Sequence, residues 1–216
     1  VLFNVSTSLE GNGTLIPNID RSLVSWWRMD DLNSSGGVID YMAKNNGTNI
    51  SATQVSNGKF GKAFKFDGSS SYIIGDNSGI NFPVGNSSRT IAAWINTSRI
   101  SGDQIILMYG TNGGQNINFH LLVSNGLARV GSGFGGGTID GTSNVADGNW
   151  HFLVGMYNKT TNNLSIYVDG KLEGNSPPPS AYINTGTGDN WRIGIDFNNA
   201  NQFNGLIDNV MIFNRS

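Results

Sequence analysis

Near its C-terminus the chain runs Gly205-Leu206-Ile207-Asp208-Asn209-Val210-Met211-Ile212-Phe213, an apolar stretch with one carboxylate set into it. Strand side chains alternate between faces, so Leu206, Asp208, Val210 and Ile212 take one side and Ile207, Met211 and Phe213 the other. Both sides read as largely buried. A buried carboxylate without a partner is costly, which demands a cation, strong donors or a metal beside Asp208.

Other groups capable of chemistry are few. The glutamates are Glu10 and Glu173, and no expected strand carries two carboxylates at alternate positions. Asp30 and Asp31 are adjacent and point oppositely if extended, so the paired carboxylates of a retaining glycosidase are missing. The histidines are His120 and His151, neither beside a Gly-x-Ser-x-Gly elbow, and no His-x-x-x-His spacing occurs. Cysteine is absent, which excludes thiol redox chemistry and a disulfide framework. The expectation is a protein that is not an enzyme. His151 follows Trp150 and reads as structural; His120 falls on the polar face of Asn116–Leu121, where it meets either solvent or a ligand.

The elements that position these groups are strands. Runs at Leu23–Met29, Ala63–Phe66, Tyr72–Ile74, Thr90–Asn96, Gln104–Tyr109, Ile117–Val123, Leu127–Val130, Trp150–Tyr157, Leu164–Val168, Trp191–Ile195 and Leu206–Phe213 alternate with polar turns. One helical turn fits Ser34–Met42, and Gly131–Gly141 reads as a flexible loop. Many strands without crossover helices predict an all-β, antiparallel two-sheet sandwich. Residues 1–21 lack a sustained pattern and read as a linker or extra edge strand, leaving 22–216 as the domain. Charged residues are 13% and net charge is −2, without the basic patch of a nucleic-acid binder. No apolar run approaches the ~20 residues of a membrane span. The chain reads as a domain of a longer polypeptide with flanking domains. About ten Asn-x-Ser/Thr sequons are compatible with either an Asn-rich composition or a glycosylated surface protein.

Several runs, in order, resemble one family. They are Trp26-Trp27-Arg28-Met29-Asp30, Gly58–Gly68 with Tyr72-Ile73, Arg89–Ile95, Asn149–Val154, Leu164–Lys171, and Phe203-Asn204-Gly205 with Leu206–Phe213. Together they resemble a laminin G-like, concanavalin A-type lectin/glucanase domain, from about Ser22 to Arg215. The resemblance implies a jelly roll. It also implies a structural calcium ion held by Asp30, Asp208 and Asp67, with Asp40, Asn45 and Asn46 as further oxygen sources. The Glu-x-Asp-x-Glu cluster of catalytic members is absent. Trp94 and Trp150 fall in core motifs and are expected to be buried. Tyr109 and Trp191 are the freer aromatics, and with Asn116, His120 and Arg129 they make the candidate glycan site on the concave sheet. The expected function is a carbohydrate-binding or adhesion module at a cell surface or outside the cell, with a glycan or glycoprotein as ligand. The alternative is a protein-interaction or spacer module.

Overall fold

Alternation builds the chain strand by strand. In Leu164-Ser165-Ile166-Tyr167-Val168 the aliphatic residues are buried, while Tyr167 stays partly exposed on the other face. The computed structural model describes residues 20–75, 81–113, 115–133, 137–178 and 183–216, without the side chains of Gln115 and Asn116. Residues 1–19, most of the segment expected to be a linker or edge strand, lie outside it.

Sixteen strands follow in order: β1 (Leu23–Leu32), β2 (Val38–Asp40), β3 (Gly47–Ile50), β4 (Thr53–Val55), β5 (Ala63–Asp67), β6 (Tyr72–Gly75), β7 (Arg89–Asn96) and β8 (Asp103–Gly110). Then come β9 (Gln115–Ser124), β10 (Leu127–Gly133), β11 (Thr138–Asn144), β12 (Trp150–Asn158), β13 (Asn163–Val168), β14 (Lys171–Ser176), β15 (Asp189–Ile193) and β16 (Asn204–Phe213). No helix occurs among the described residues. The strands form one antiparallel hydrogen-bonded path, β11-β10-β9-β8-β15-β6-β3-β2-β1-β16-β7-β12-β13-β14, with β5 joined to β16 and β4 to β5.

The path folds back on itself, so the β8–β11 half faces the β7, β12 and β13 half. At Gly155 of β12, a Cβ would meet the side chains of Val130 and Leu121 from β10 and β9. Between the layers lies one apolar core that includes Trp27, Phe64, Ile91, Phe119, Leu153 and Ile212, all 0% exposed. The fold is therefore an antiparallel all-β sandwich.

Four expectations change. Ser34–Met42 holds β2 and turns, not a helical turn. Gly131–Gly141 is largely strand, in β10 and β11, because paired backbone compensates for the missing side chains; residues 134–136 lie outside the description. Trp191 is 0% exposed and stacks on Trp27 at 4.4 Å between centroids. Tyr109 is likewise in the core, against Phe82 and Phe119, with its hydroxyl donating to the Pro83 carbonyl at 3.2 Å. Burial pushes that hydroxyl up to about 12, although Arg89 nearby works the other way.

The closing strand departs from simple alternation. Its pairing with β7 shifts register between Asp208 and Met211, and Asn209 takes a left-handed φ of 49°. This bulge inserts one residue and reverses parity. Ile207, Val210 and Ile212 enter the core, whereas Asp208 points to the outer face, opposite Trp94.

Candidate functional site

Asp208 is nevertheless fully buried, because the Gly58–Lys62 loop folds over it. The Phe60 N–H donates to Asp208 Oδ2 at 2.9 Å, and Asn209 Nδ2 donates to Oδ1 at 2.8 Å. Asp30 grips the same loop, accepting the Lys62 N–H at 2.8 Å, and also accepts from Arg28 Nη2 at 2.9 Å. At Gly61, with φ of 66°, a side chain would collide with the Asp30 carboxylate. Burial raises the Asp208 carboxyl to about 6 against its two donors, and the charge on Asp30 adds to the rise. Two of the three carboxylates expected to share an ion thus flank one loop.

Asp67 does not join them. It pairs with Asn204, four positions along β16 from Asp208, a separation of about 13 Å in a strand. Its carboxylate caps its own turn, accepting the N–H groups of Ser69, Ser70 and Ser71 and the Ser70 hydroxyl. The Ser70 and Ser69 amides hold it well below the usual carboxylate range. Asp40, a further oxygen source, is occupied by the N–H groups of Trp26, Met42 and Asn45. Among the described residues no three acidic or histidine side chains converge as a metal cluster.

The expected glycan site divides. Tyr109 and Trp191 are core residues, and the Asn116 side chain lies outside the described residues. His120 and Arg129 do share the outer face of β8–β11. His120 lies between Met108 on β8 and Gly131 on β10; Arg129 lies between Leu122 on β9 and Asp140 on β11. Arg129 holds Asp140 with Nε and Nη2, the latter at 2.9 Å, and its Nη1 is 3.8 Å from Asp103 Oδ1. His120 is 5% exposed, and burial followed by the Arg129 charge pushes its imidazole down to about 4. It is therefore neutral near pH 7, with one donor and one acceptor nitrogen. Its Nδ1 lies 3.1 Å from Asn118 Oδ1, which also accepts the Gly133 N–H at 2.8 Å.

Asn118 is the residue that sequence reasoning missed. It is 1% exposed, and among the described residues its Nδ2 has no hydrogen-bond partner. The strict alternation Asn116-Ile117-Asn118-Phe119-His120 contained the signal, since it sets Asn118 and His120 on one face. Phe197 packs beside this cluster with Ile105, Met108 and Leu122, an apolar floor next to polar groups. Arg192 lies over the Phe197 ring at 5.8 Å and donates to Asn199 Oδ1 at 2.7 Å.

His151 does hold structure. Its Nδ1 lies 2.8 Å from Asp169 and its Nε2 3.1 Å from Asp147, so it bridges two turns. Burial opposes its charge, but the bonds to Asp169 and Asp147 prevail and the net shift is upward. A raised imidazole stabilises fully below its unfolded value near ~6.5 and loses that contribution as pH rises through the folded value. Thermal stability is expected to fall between pH 6 and 8 by a component that Asp169→Asn removes; melting curves across that range check it. Trp94 and Trp150 are partly exposed instead of buried, and Trp94 carries Lys59 Nζ 4.4 Å above its ring. Glu173, the one glutamate described, accepts from Thr142 N–H and from Ser143 N–H and hydroxyl, tying β14 to β11.

An all-β antiparallel sandwich with a polar outer sheet face is the class these observations define. More narrowly, the chain belongs to the concanavalin A-like lectin/glucanases superfamily, whose model matches residues 66–216. Among solved structures it is similar to domain 4 of AbnA, a GH43 extracellular arabinanase from Geobacillus stearothermophilus solved with arabinotriose. Identity is 18% and TM-score 0.67, over 90% of this chain and 93% of that one. The binding domain of Paraclostridial Mosquitocidal Protein 1 gives 17% and 0.66, over 90% of this chain and 49% of that one. The botulinum neurotoxin serotype D binding domain gives 17% and 0.61, over 90% and 48%. The chain thus spans about half of these two toxin domains. No curated protein matches the sequence. No helix among the described residues is long and apolar enough to cross a membrane.

Proposed function

We propose that this domain is a non-catalytic carbohydrate-binding module of an extracellular or cell-surface protein, built as a two-sheet jelly roll. The observation that carries the reading is the outer face of β8–β11. There a neutral imidazole, an Asn118 amide whose Nδ2 is without a partner among the described residues and a guanidinium fixed by Asp140 stand beside an apolar floor. Sugars present hydroxyls that both donate and accept, next to C–H faces. Neutral imidazole and amide groups match the first and the Phe197–Met108 floor the second. The domain-length likeness to an arabinanase domain solved with arabinotriose supports the same ligand class. A non-catalytic role fits the carboxylates: Glu173 is spent on β11, and Asp103 and Asp140 are engaged by Arg129. Calorimetric titration with arabino-, xylo- and galacto-oligosaccharides tests the reading. Arg129→Ala is expected to weaken binding by roughly tenfold or more, the loss of a charge-assisted contact. Equal affinity in wild type and variant counts against this face.

The calcium expectation narrows to Asp30 and Asp208 with carbonyl oxygens of the Gly58–Gly61 loop. The fit is chemical: a buried carboxylate raised by its neighbour is a site where a hard divalent cation would relieve repulsion. The ion would pin the loop to β1 and β16. Without it, the raised Asp208 carboxyl favours the fold at low pH and loses that contribution as pH climbs through about 6. Millimolar calcium is therefore expected to raise Tm at pH 7.5, and Asp208→Asn to abolish the response. An unchanged Tm rules the ion out.

A further inference from the structure

The opposite outer face is ring-lined and uncharged along its middle. Pairing registers set Trp26, Met211, Ala92, Val154, Tyr167 and Leu172 in one row across β1, β16, β7, β12, β13 and β14. All six point away from the core, since their strand neighbours Trp27, Ile91, Leu153, Ile166 and Ile212 fill it. Leu172 is 46% exposed, and all the others except Ala92 are partly exposed. Trp94 and Phe152, with rings 5.1 Å apart, stand opposite one another in the next row. Thr90 and Met156 continue the row on the other side.

Ala92, the smallest of the six, lies at the centre, so the row forms a shallow trough between larger side chains. The middle row carries no charge, and Asp208, beside Trp94 in the next row, is buried beneath the Gly58–Lys62 loop, whose Phe60 packs edge-on against Trp94. Arg28 stacks over Tyr41 at 4.7 Å and Trp26 at 5.5 Å while bonded to Asp30, and Lys59 stacks on Trp94. Six strands span about 24 Å and three rows about 14 Å, from strand spacing and rise. That footprint is under half of the ~800 Å² that each partner buries in a stable protein interface. An apolar patch of this size is on the scale of the largest that a monomer carries, which is often functional, and its size and uncharged middle row select a narrow, uncharged occupant with flat apolar sides.

We propose that this trough is a second carbohydrate surface, which takes the C–H faces of an uncharged polysaccharide chain laid across the strands. Trp94, Phe152 and Tyr167 supply the rings, and Ala92 and Val154 the floor. It is separate from the polar face of β8–β11, which lies on the other side of the sandwich.

The test is retention of the full domain on insoluble cellulose and on debranched arabinan in affinity gels, with gel filtration and phosphatidylcholine vesicles run in parallel. Val154→Lys puts a charge on the floor, and Tyr167→Ala with Leu172→Ser removes one end. Each variant is expected to lose about tenfold in retention at unchanged Tm, whereas Lys159→Ala, an exposed change in the β12–β13 turn outside both faces, keeps wild-type retention. Failure of the polar-face reading alone would leave that pattern intact. Four results overturn the proposal: no wild-type retention on either polymer, full retention by both trough variants, a dimer that Val154→Lys dissociates, or vesicle binding abolished by the same change.

Discussion

Trp191→Ala is expected to destabilise the domain by about 3–5 kcal/mol, lowering Tm by roughly 10 °C in a chain of this size. The ring is 0% exposed, stacked on Trp27 and tilted against Phe82, so truncation leaves a cavity between the layers. Gly75 and Gly47 make room for it. A Cβ at Gly75 would collide with the indole, and one at Gly47 would lie 2.8 Å from Trp191 Cη2 and 2.5 Å from Ile73 Cγ2. Gly75→Ala should therefore be about as damaging as loss of the ring. Combined with Trp191→Ala it should cost much less than the sum, because the second change removes the clash. Thermal melts of the two single variants and the double variant decide this. Additive losses, or a Tm for Trp191→Ala near wild type, would return Trp191 to the surface.

Arg89→Ala is expected to cost a similar amount, about 3–5 kcal/mol. Arg89 is 0% exposed, and among the described residues no carboxylate pairs with it. Backbone carbonyls stabilise its charge: Nε donates to Ser87 O at 2.8 Å and Nη2 to Gly85 O at 2.6 Å. Phe119 and Tyr157 rings lie 5.6 and 5.8 Å away. Truncation takes the guanidinium donors from Ser87 O and Gly85 O, leaves the latter with the Thr185 N–H alone, and opens the end of the core. Arg89→Lys should not rescue it, since one ammonium cannot reach two carbonyls in the geometry of the planar fork. Chemical denaturation checks the order: wild type well above lysine, with alanine lowest or equal to lysine.

The fold was legible where pattern was long. Leu164–Val168 and Asn116–Leu121 alternate strictly, and each lies within a strand of the structure. Asp30 and Asp208 were tied together only by motif order, and the structure places both on the Gly58–Lys62 loop. The rest turned on local backbone or on distant partners. Asn209 in a left-handed conformation reverses parity within β16, and nothing in Leu206–Phe213 announces that. Trp191 follows Gly188-Asp189-Asn190, which reads as a surface loop, and the glycines that admit it belong to β3 and β6, over a hundred residues earlier. Asp67 was recoverable: Asp67-Gly68-Ser69-Ser70-Ser71 is the composition of an Asx-capped turn, which consumes the carboxylate locally.

The proposed glycan site accordingly rests on polar groups of β9–β11 and not on stacking at Tyr109 and Trp191, which are core residues. The most direct measurement is an amide NMR titration of the labelled domain with arabinotriose and matched xylo- and galacto-oligosaccharides. Saturable shifts concentrated at Asn118, His120, Arg129 and Asp140, and lost in Arg129→Ala, are the predicted result. No saturable shift with any of these sugars, or shifts confined to residues outside β8–β11, would contradict a glycan site on this face.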